Sequence, residues 1–298
     1  MKKVLVIVGP TAVGKSDLSL ALAKVFDGEI ISGDSIQVYK GLDIGSGKVN
    51  EGQRKEVKHY MLDILSPKDT YSVYDFQKRA RQHIEDITSR GKLPIVVGGT
   101  GLYIKALLYD YTFAPVDELD YSKYELMDNE ELYQQLQEVD YASSACLHPN
   151  NRRRIVRALA LADVNQKKSK TIEGQKKEIL YDALIIGCTT DRSILYERIN
   201  ERVAKMFQEG LLEEVQSLLK QGVRFDDQSM QGIGYRQFKG YVEQEKTLEE
   251  VQMEIASASR KFAKRQYTWF NNQMHVQWFD PKEEYERIVE VIQAWYNS

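Results

Sequence analysis

An α/β fold, in which a parallel sheet is flanked by helices and interrupted by an inserted all-helical module, is what three features of this sequence predict. Short apolar runs (Val4–Val8, Leu93–Val97 and Tyr181–Cys188) and a short strand candidate, Glu29–Ser32, alternate with longer stretches of helical character, as expected for a parallel sheet covered on both faces. A glycine turn ending in Gly14-Lys15-Ser16 joins the first run to the first helix. From about Phe113 to Lys177 no segment reads as a strand, although helical spacing persists.

Each element has its own signal. Val4–Val8 is a continuous apolar run, β-branched except at Leu5. Met1–Pro10 superficially resembles a signal peptide, with lysines followed by an apolar stretch. That stretch is too short and no small-residue cleavage site follows, so it reads as a buried first strand. Ser16–Phe26 repeats Leu18, Ala21, Leu22 and Val25 at helical spacing, Glu29–Ser32 is the second strand, Tyr74–Arg90 a helix, and Leu93–Val97 a further buried strand. In the module, Asp117–Glu138 is acidic and helical, and Leu132, Leu136 and Val139 form a sparse apolar stripe. His148-Pro149-Asn150-Asn151 opens a helix over Arg152–Asp163, and Gln166–Lys177 is a polar, lysine-rich loop. Tyr181–Cys188 restores the sheet, and Ser193–Gly222, Thr247–Phe270 and Pro281–Tyr296 are helical. The expected organisation is a catalytic core of residues 1–112 and 181–298 around an inserted module of residues 113–180.

Composition narrows the function classes. The 298 residues are 42% hydrophobic and 29% charged, the balance of a soluble globular chain with room for a sizeable core. No apolar run approaches the ~18 residues of a membrane span, so no membrane partner is expected. Two cysteines in unrelated contexts, Cys146 and Cys188, exclude a disulfide framework and a thiolate zinc site. A reducing cytoplasm is the expected location, and a monomer the expected state. The net charge of −3 means that any nucleic-acid surface is a local patch.

Gly9-Pro10-Thr11-Ala12-Val13-Gly14-Lys15-Ser16 fits G-x-x-x-x-G-K-[ST] and stands between a strand and a helix, as the motif requires. The sheet is therefore expected to be P-loop NTPase-like. Turning glycines aim N–H groups at phosphate oxygens, the helix start adds its dipole, Lys15 supplies a point charge, and the Ser16 hydroxyl can reach Mg²⁺. A nucleoside triphosphate is the usual occupant, and a diphosphate ester would fit the same cradle.

Three further segments carry chemistry. Ser32–Lys48, after the second strand, is dense in polar residues and glycine. Pro94–Tyr103 runs from a strand through Gly98-Gly99-Thr100-Gly101 into a helix. A P-loop NTPase would normally place a metal-binding aspartate at the end of such a strand, and none is there. Gln231-Gly232-Ile233-Gly234-Tyr235-Arg236 is a third glycine-rich segment. Asp34 reads equally as a proton acceptor and as a turn cap. Arg260, Lys261, Lys264 and Arg265 precede Tyr267, Trp269 and Phe270. Cations among aromatics suit phosphate contact and stacking, and equally suit a solvated helix face with Trp269 in the core. Four scattered histidines show no metal-ligand spacing.

Taken in order, the P-loop, Asp34–Tyr39, Gly98–Tyr103, the arginine-rich His148–Leu159, Arg198–Met206, Gln231–Arg236 and Lys264–Phe270 resemble the tRNA dimethylallyltransferase (tRNA isopentenyltransferase) family, in its bacterial form without a zinc-finger extension. The resemblance implies transfer of a dimethylallyl group from dimethylallyl diphosphate to the N6 amine of the adenine 3′ of the anticodon in tRNA, assisted by Mg²⁺. It implies Asp34 as the proton acceptor, Thr100 near the reacting groups, and Lys15 with Arg202 on the diphosphate, Arg198 being the alternative on the same helix face. It further implies that Asp34, Ser35, Ile36, Gln37 and Thr100 contact the flipped base and its neighbours. Arg153, Arg154, Arg157, Gln231, Gly232, Ile233, Gly234, Tyr235, Arg236, Lys264 and Arg265 are implied contacts to the rest of the RNA. Ser46-Gly47-Lys48 departs from the family's commoner Thr-Ala-Lys, and the inserted module matches poorly outside its arginines. Competing expectations are a small-molecule P-loop kinase, which would turn over ATP, and a nucleotide-gated RNA-binding protein without prenyl chemistry.

Overall fold

In the computed structural model, which describes residues 1–111, 119–164 and 178–298, six strands form one sheet. They are β1 (Lys3–Val8), β2 (Gly28–Ser32), β3 (His59–Tyr60), β4 (Leu93–Gly98), β5 (Asp182–Cys188) and β6 (Gln277–Phe279). Their order across the sheet is β3-β2-β4-β1-β5-β6, and every pair is parallel. Parallel pairing requires crossovers, and helices supply them. β1, at the centre, carries Val4, Leu5, Val6, Ile7 and Val8, all fully buried, so both of its faces are covered. On one face Leu5, Ile7, Ile95 and Ile186 pack with Leu18, Leu22, Ile199 and Ile288.

The helices around the sheet are α1 (Lys15–Val25), α2 (Glu51–Glu56), α3 (Val73–Ser89) and α4 (Gly101–Leu108), all before the insertion. α3 starts at a capping box, Ser72 and Asp75 exchanging hydrogen bonds. The chain divides into two compact units, Met1–Leu108 with Ile179–Ser298, and Tyr109–Glu178. The second unit contains α5 (Asn129–Val139), α6 (Tyr141–Ala145) and α7 (Arg152–Asp163). Its own core gathers Tyr124, Leu132, Leu136, Ile155 and Leu159. The first unit then adds α8 (Arg192–Gln208), α9 (Leu211–Lys220), α10 (Phe238–Val242), α11 (Leu248–Gln273) and α12 (Tyr285–Asn297). No helix among the described residues is long and apolar enough to cross a membrane.

Several expectations need correction. Asp117–Glu138 is not one helix. The described part has a 3-10 turn at Ser122–Tyr124, and α5 starts only at Asn129, where the Asp128 carboxylate takes the Glu130 and Glu131 amides in a capping box. Ser193–Gly222 is two helices, because Gly210 adopts a left-handed conformation (φ 99°) that ends one and starts the next. β3 and β6 were not expected, since two and three residues are too few to show a period. The position 113 boundary and the polar segment Gln166–Lys177 lie outside the described residues.

Candidate active site

All six strands point their C-terminal ends to one edge of the sheet, and the chain turns there from β4 on one side of β1 to β5 on the other. Open α/β sheets bind ligands in the crevice outside such a reversal. The loops following β1, β2 and β4 bring the expected chemistry to that edge.

After β1, Gly9 (φ 140°) and Gly14 (φ 97°) turn the P-loop, and Ala12 also takes a positive φ of 63°. A Cβ on Gly9 would lie 2.6 Å from the Cys188 carbonyl oxygen, so the loop rests directly on the end of β5. Lys15 folds back to donate to the Pro10 carbonyl at 2.5 Å. Burial lowers its ammonium to about 8, against the pull of the neighbouring Cys188 and Asp34, while Arg202 lowers it further. A cation desolvated in this way gains most from an arriving anion. Burial likewise pushes the Cys188 thiol up to about 12, which leaves it an inert floor. The Ser16 hydroxyl, on an exposed residue at the start of α1, makes no hydrogen bond among the described residues.

After β2, Gly33 donates to the Val97 carbonyl at 2.7 Å. A Cβ on Gly98 would lie 2.6 Å from the Gly33 oxygen, and one on Gly99 would lie 3.3 Å from the Gly9 oxygen. The three loops thus meet backbone to backbone, which only glycine allows. Asp34 sits at this junction. Its Oδ1 accepts from the Ile36 and Gln37 amides (2.8 and 3.3 Å), which caps the turn and fixes the rotamer. Oδ2 has no hydrogen-bond partner among the described residues. Turn cap and available carboxylate oxygen therefore coexist in one side chain.

After β4, the Thr100 hydroxyl also makes no hydrogen bond among the described residues, so it does not cap α4. The turn that carries Thr100 is clamped from α11. Gln266 donates to the Gly99 carbonyl at 3.0 Å, and the Trp269 ring lies against Gly101. The Gln266 Oε1 is buried and unpartnered.

Of the two candidate arginines on α8, Arg202 feels the charge of Asp34, whereas Arg198 acts on Asp280 beyond β6. Burial pulls the Arg202 guanidinium down, opposed by Asp34 and Glu209. It forms no ion pair among the described residues. Its guanidinium lies over Gly47, where a Cβ would be 1.9 Å from Nη2.

The expected RNA contacts divide. Arg153, Arg154 and Arg157 are exposed on α7, whereas their neighbour Arg152 is spent on the Tyr124, Glu125 and Met127 carbonyls. Lys264 and Arg265 on α11, and Gln231 and Arg236, are exposed. Ser35 is half-buried, as are Gly232 and Ile233, and the Ile36 side chain approaches Gly232. Gln37 has its amide committed, accepting from Ser32 Oγ at 2.9 Å and donating to the Ser46 and Gly47 carbonyls. In this conformation it has no free edge with which to read a base. Gly234 is buried and Tyr235 fully so, so Tyr235 is a core residue here and not an RNA-facing one. Glu214 and Gln266 were not singled out from the sequence. A glutamate in the first turn of an amphipathic helix, as Glu213 and Glu214 both are, carries no local signal, although Gln266 lies inside a segment that did.

A family model described as IPP transferase matches residues 37–273. A tRNA dimethylallyltransferase from Bacillus cereus (strain B4264) is 50% identical over 287 residues, which cover 94% of this chain and 90% of that protein. One from Anoxybacillus flavithermus is 47% identical over 98% of this chain and 95% of its own. Among solved structures, a tRNA delta(2)-isopentenylpyrophosphate transferase from Staphylococcus epidermidis is 42% identical, with a TM-score of 0.75 over 100% of this chain and 99% of that one. A eukaryotic dimethylallyltransferase acting on tRNA is 28% identical, with a TM-score of 0.88 over 100% of this chain and 80% of that one.

Proposed function

We propose a reaction from one premise, that this chain belongs to the IPP transferase family. It is a tRNA dimethylallyltransferase: the C1–O bond of dimethylallyl diphosphate breaks with its electron pair leaving on diphosphate, the N6 amine of the adenine 3′ of the anticodon bonds to C1, and the amine loses a proton. The observation that carries the reading is the convergence of three glycine-built loops. They put a phosphate cradle, the available Oδ2 of Asp34 and the available hydroxyl of Thr100 at one edge of the sheet.

The roles follow from charge. The leaving diphosphate gains negative charge in the transition state, and preorganised donors stabilise it. The backbone N–H groups of the Gly9–Ser16 loop (all but Pro10, which has none), the Lys15 ammonium and the Arg202 guanidinium are those donors in our reading. A diphosphate also offers Lys15 a better partner than the Pro10 carbonyl. An exocyclic amine is a poor nucleophile until its proton has an acceptor, and Asp34 Oδ2 is the acceptor in our reading, held in place through Oδ1. Thr100, whose hydroxyl has no partner among the described residues, bonds the diphosphate or the RNA in our reading.

The residues fit Mg²⁺ of one kind only. Among the described residues no three His, Cys, Asp or Glu side chains gather to hold a metal, whereas Ser16 offers an unbonded hydroxyl beside the phosphate cradle. Mg²⁺ commonly takes one or two protein ligands and completes its shell with phosphate and water. Ser16 would hold it, and it would supply charge neutralisation to the diphosphate.

On the RNA side we read the exposed Arg153, Arg154 and Arg157, and Lys264 and Arg265, as phosphate contacts. The chain is read as a cytoplasmic monomer. The kinase and gated-switch readings find no support among the relatives that match.

Asp34→Asn is the sharpest test, because asparagine keeps the Oδ1 acceptor and the turn while removing the charge. Labelled dimethylallyl diphosphate, Mg²⁺ and unmodified tRNA should give labelled RNA with the native chain. Label should be at least ~100-fold slower to appear with the variant. Equal rates would remove Asp34 as proton acceptor, and ATP consumption without RNA labelling would overturn the function.

A further inference from the structure

The loop of residues 43–47 is held by a side chain far from it in sequence. The Glu214 carboxylate on α9 accepts from three successive backbone amides, those of Asp43 (2.9 Å), Ile44 (2.7 Å) and Gly45 (3.1 Å). The Tyr235 hydroxyl donates to Glu214 Oε1 at 2.8 Å and accepts from the next amide, Ser46, at 3.1 Å. Four consecutive N–H groups are therefore satisfied by one carboxylate and by the phenol it holds. Successive amides turned to one side make an anion-binding concavity, and here the anion is supplied by the protein's own helix. Gly45 makes room for the phenol, since a Cβ there would lie 2.5 Å from the Tyr235 Cζ. The fully buried ring cannot relocate without opening the core.

The far end of this loop touches the candidate active site twice. Gly47 takes φ 61° and lies directly beneath the Arg202 guanidinium, with no side chain between them. The Ser46 and Gly47 carbonyls accept from Gln37 Nε2, three residues beyond Asp34. Arg202 has no ion-pair partner among the described residues, so the loop surface is what limits where its guanidinium rests. A loop with four convergent N–H groups and no anion would not keep this shape.

We propose that Glu214 is a positioning residue for the transfer. Through the Asp43–Gly47 loop it sets the seat of Arg202 and the orientation of Gln37, with Tyr235 as its second contact. The inference rests on the reading of Arg202 as a diphosphate contact. Glu214→Gln replaces one acceptor oxygen by an NH₂ group that faces donors. Tyr235→Phe, the milder change, removes only the hydroxyl.

The test compares the native chain, Glu214→Gln, Tyr235→Phe, Arg202→Lys and the Glu214→Gln/Arg202→Lys pair. Thermal melts are recorded throughout, together with binding of inorganic pyrophosphate by calorimetry, which does not depend on turnover. Glu214→Gln should weaken pyrophosphate binding about tenfold and raise the KM for dimethylallyl diphosphate to match. Tyr235→Phe should act in the same direction by a smaller factor, and it carries the test if Glu214→Gln does not fold. In the Arg202→Lys background the Glu214→Gln penalty should largely vanish, because the two act as one unit. A melt shift with pyrophosphate binding within twofold of native would overturn the proposal and leave Glu214 a stabilising residue only. So would an undiminished penalty in the Arg202→Lys background. If the native chain binds pyrophosphate but never labels RNA, the function fails, while the pyrophosphate comparison still decides the role of Glu214.

Discussion

Gly101→Ala is a one-methyl change that should disable this site through its packing. A Cβ at position 101 would lie 2.1 Å from Trp269 Cε3 and 2.4 Å from both Cδ2 and Cζ3, where ordinary contact starts at 3.4 Å. The indole would have to withdraw by about 1.3 Å, and overpacking of this size costs roughly 1–3 kcal/mol. The ring has little freedom to do so. It stands edge-on to the buried Phe270 at 5.2 Å, and one turn back on α11 Gln266 is bonded to the Gly99 carbonyl. Part of the strain must therefore pass to the Gly99-Thr100 peptide. A displacement near 1 Å of a reacting constellation can cost ~100-fold in rate. We expect kcat for RNA labelling to fall ~10- to 100-fold, with the melting temperature lowered by roughly 2–10 °C. Single-turnover labelling with saturating donor reads the rate, and near-UV circular dichroism reports the core. Trp269→Leu in the Gly101→Ala background removes the colliding ring and should restore most of kcat. An unaltered rate in the single variant, or a double variant no better than the single one, would refute the reasoning.

Three other outcomes are expected. Glu29, buried and bonded by Arg90 and Tyr60, is held at about 2 against an ordinary value of 4.5, chiefly by the Arg90 hydrogen bonds. A lowered carboxylate pKa stabilises fully above 4.5 and loses that contribution as pH falls toward 2, on the order of 3 kcal/mol in all. In urea titrations Glu29→Gln should therefore be less stable than native at pH 7, with the gap closing between pH 5 and 2.5, and a gap independent of pH would count against the pairing. Ser16→Ala should raise the Mg²⁺ concentration for half-maximal labelling by about tenfold while leaving the melt unchanged, as expected for one ligand of several. A metal titration that does not move would remove Ser16 as a ligand. Arg152→Ala should destabilise the Tyr109–Glu178 unit by removing donors to three carbonyls. Arg154→Ala should instead leave stability unchanged and lower the salt dependence of tRNA binding, as measured by filter binding at several salt concentrations.

How much of this was legible in the sequence depended on range. β1, β4 and β5 announced themselves because strands covered on both faces are apolar along most of their length, whereas β2 offers only Ile30 and Ile31 between Glu29 and Ser32. The P-loop did so because its function constrains adjacent residues. β3 and β6 lie at the sheet edges with only two and three paired residues, and no periodicity survives at that length. The division at Gly210 was visible as a glycine, but its left-handed backbone was not. The dense polar segment after β2 drew notice as a site-lining loop, yet what shapes it is Glu214, about 170 residues away, and that pairing leaves no local trace. Tyr235 shows the converse. A glycine-flanked tyrosine reads as an exposed contact, and only the fold shows that the glycines accommodate its ring and its neighbours instead.

The central position of β1 has a consequence for how the chain comes off the ribosome. Its partner on one side, β4, is complete by residue 98, but its partner on the other, β5, ends only at Cys188. The strand that bears the phosphate loop must therefore wait, half-paired and apolar from Val4 to Val8, while some ninety further residues are synthesised, and pairing over such separation is slow. A nascent chain arrested before residue 188 would present an open sheet edge, the kind of surface that chaperones recognise and that aggregates when they are scarce.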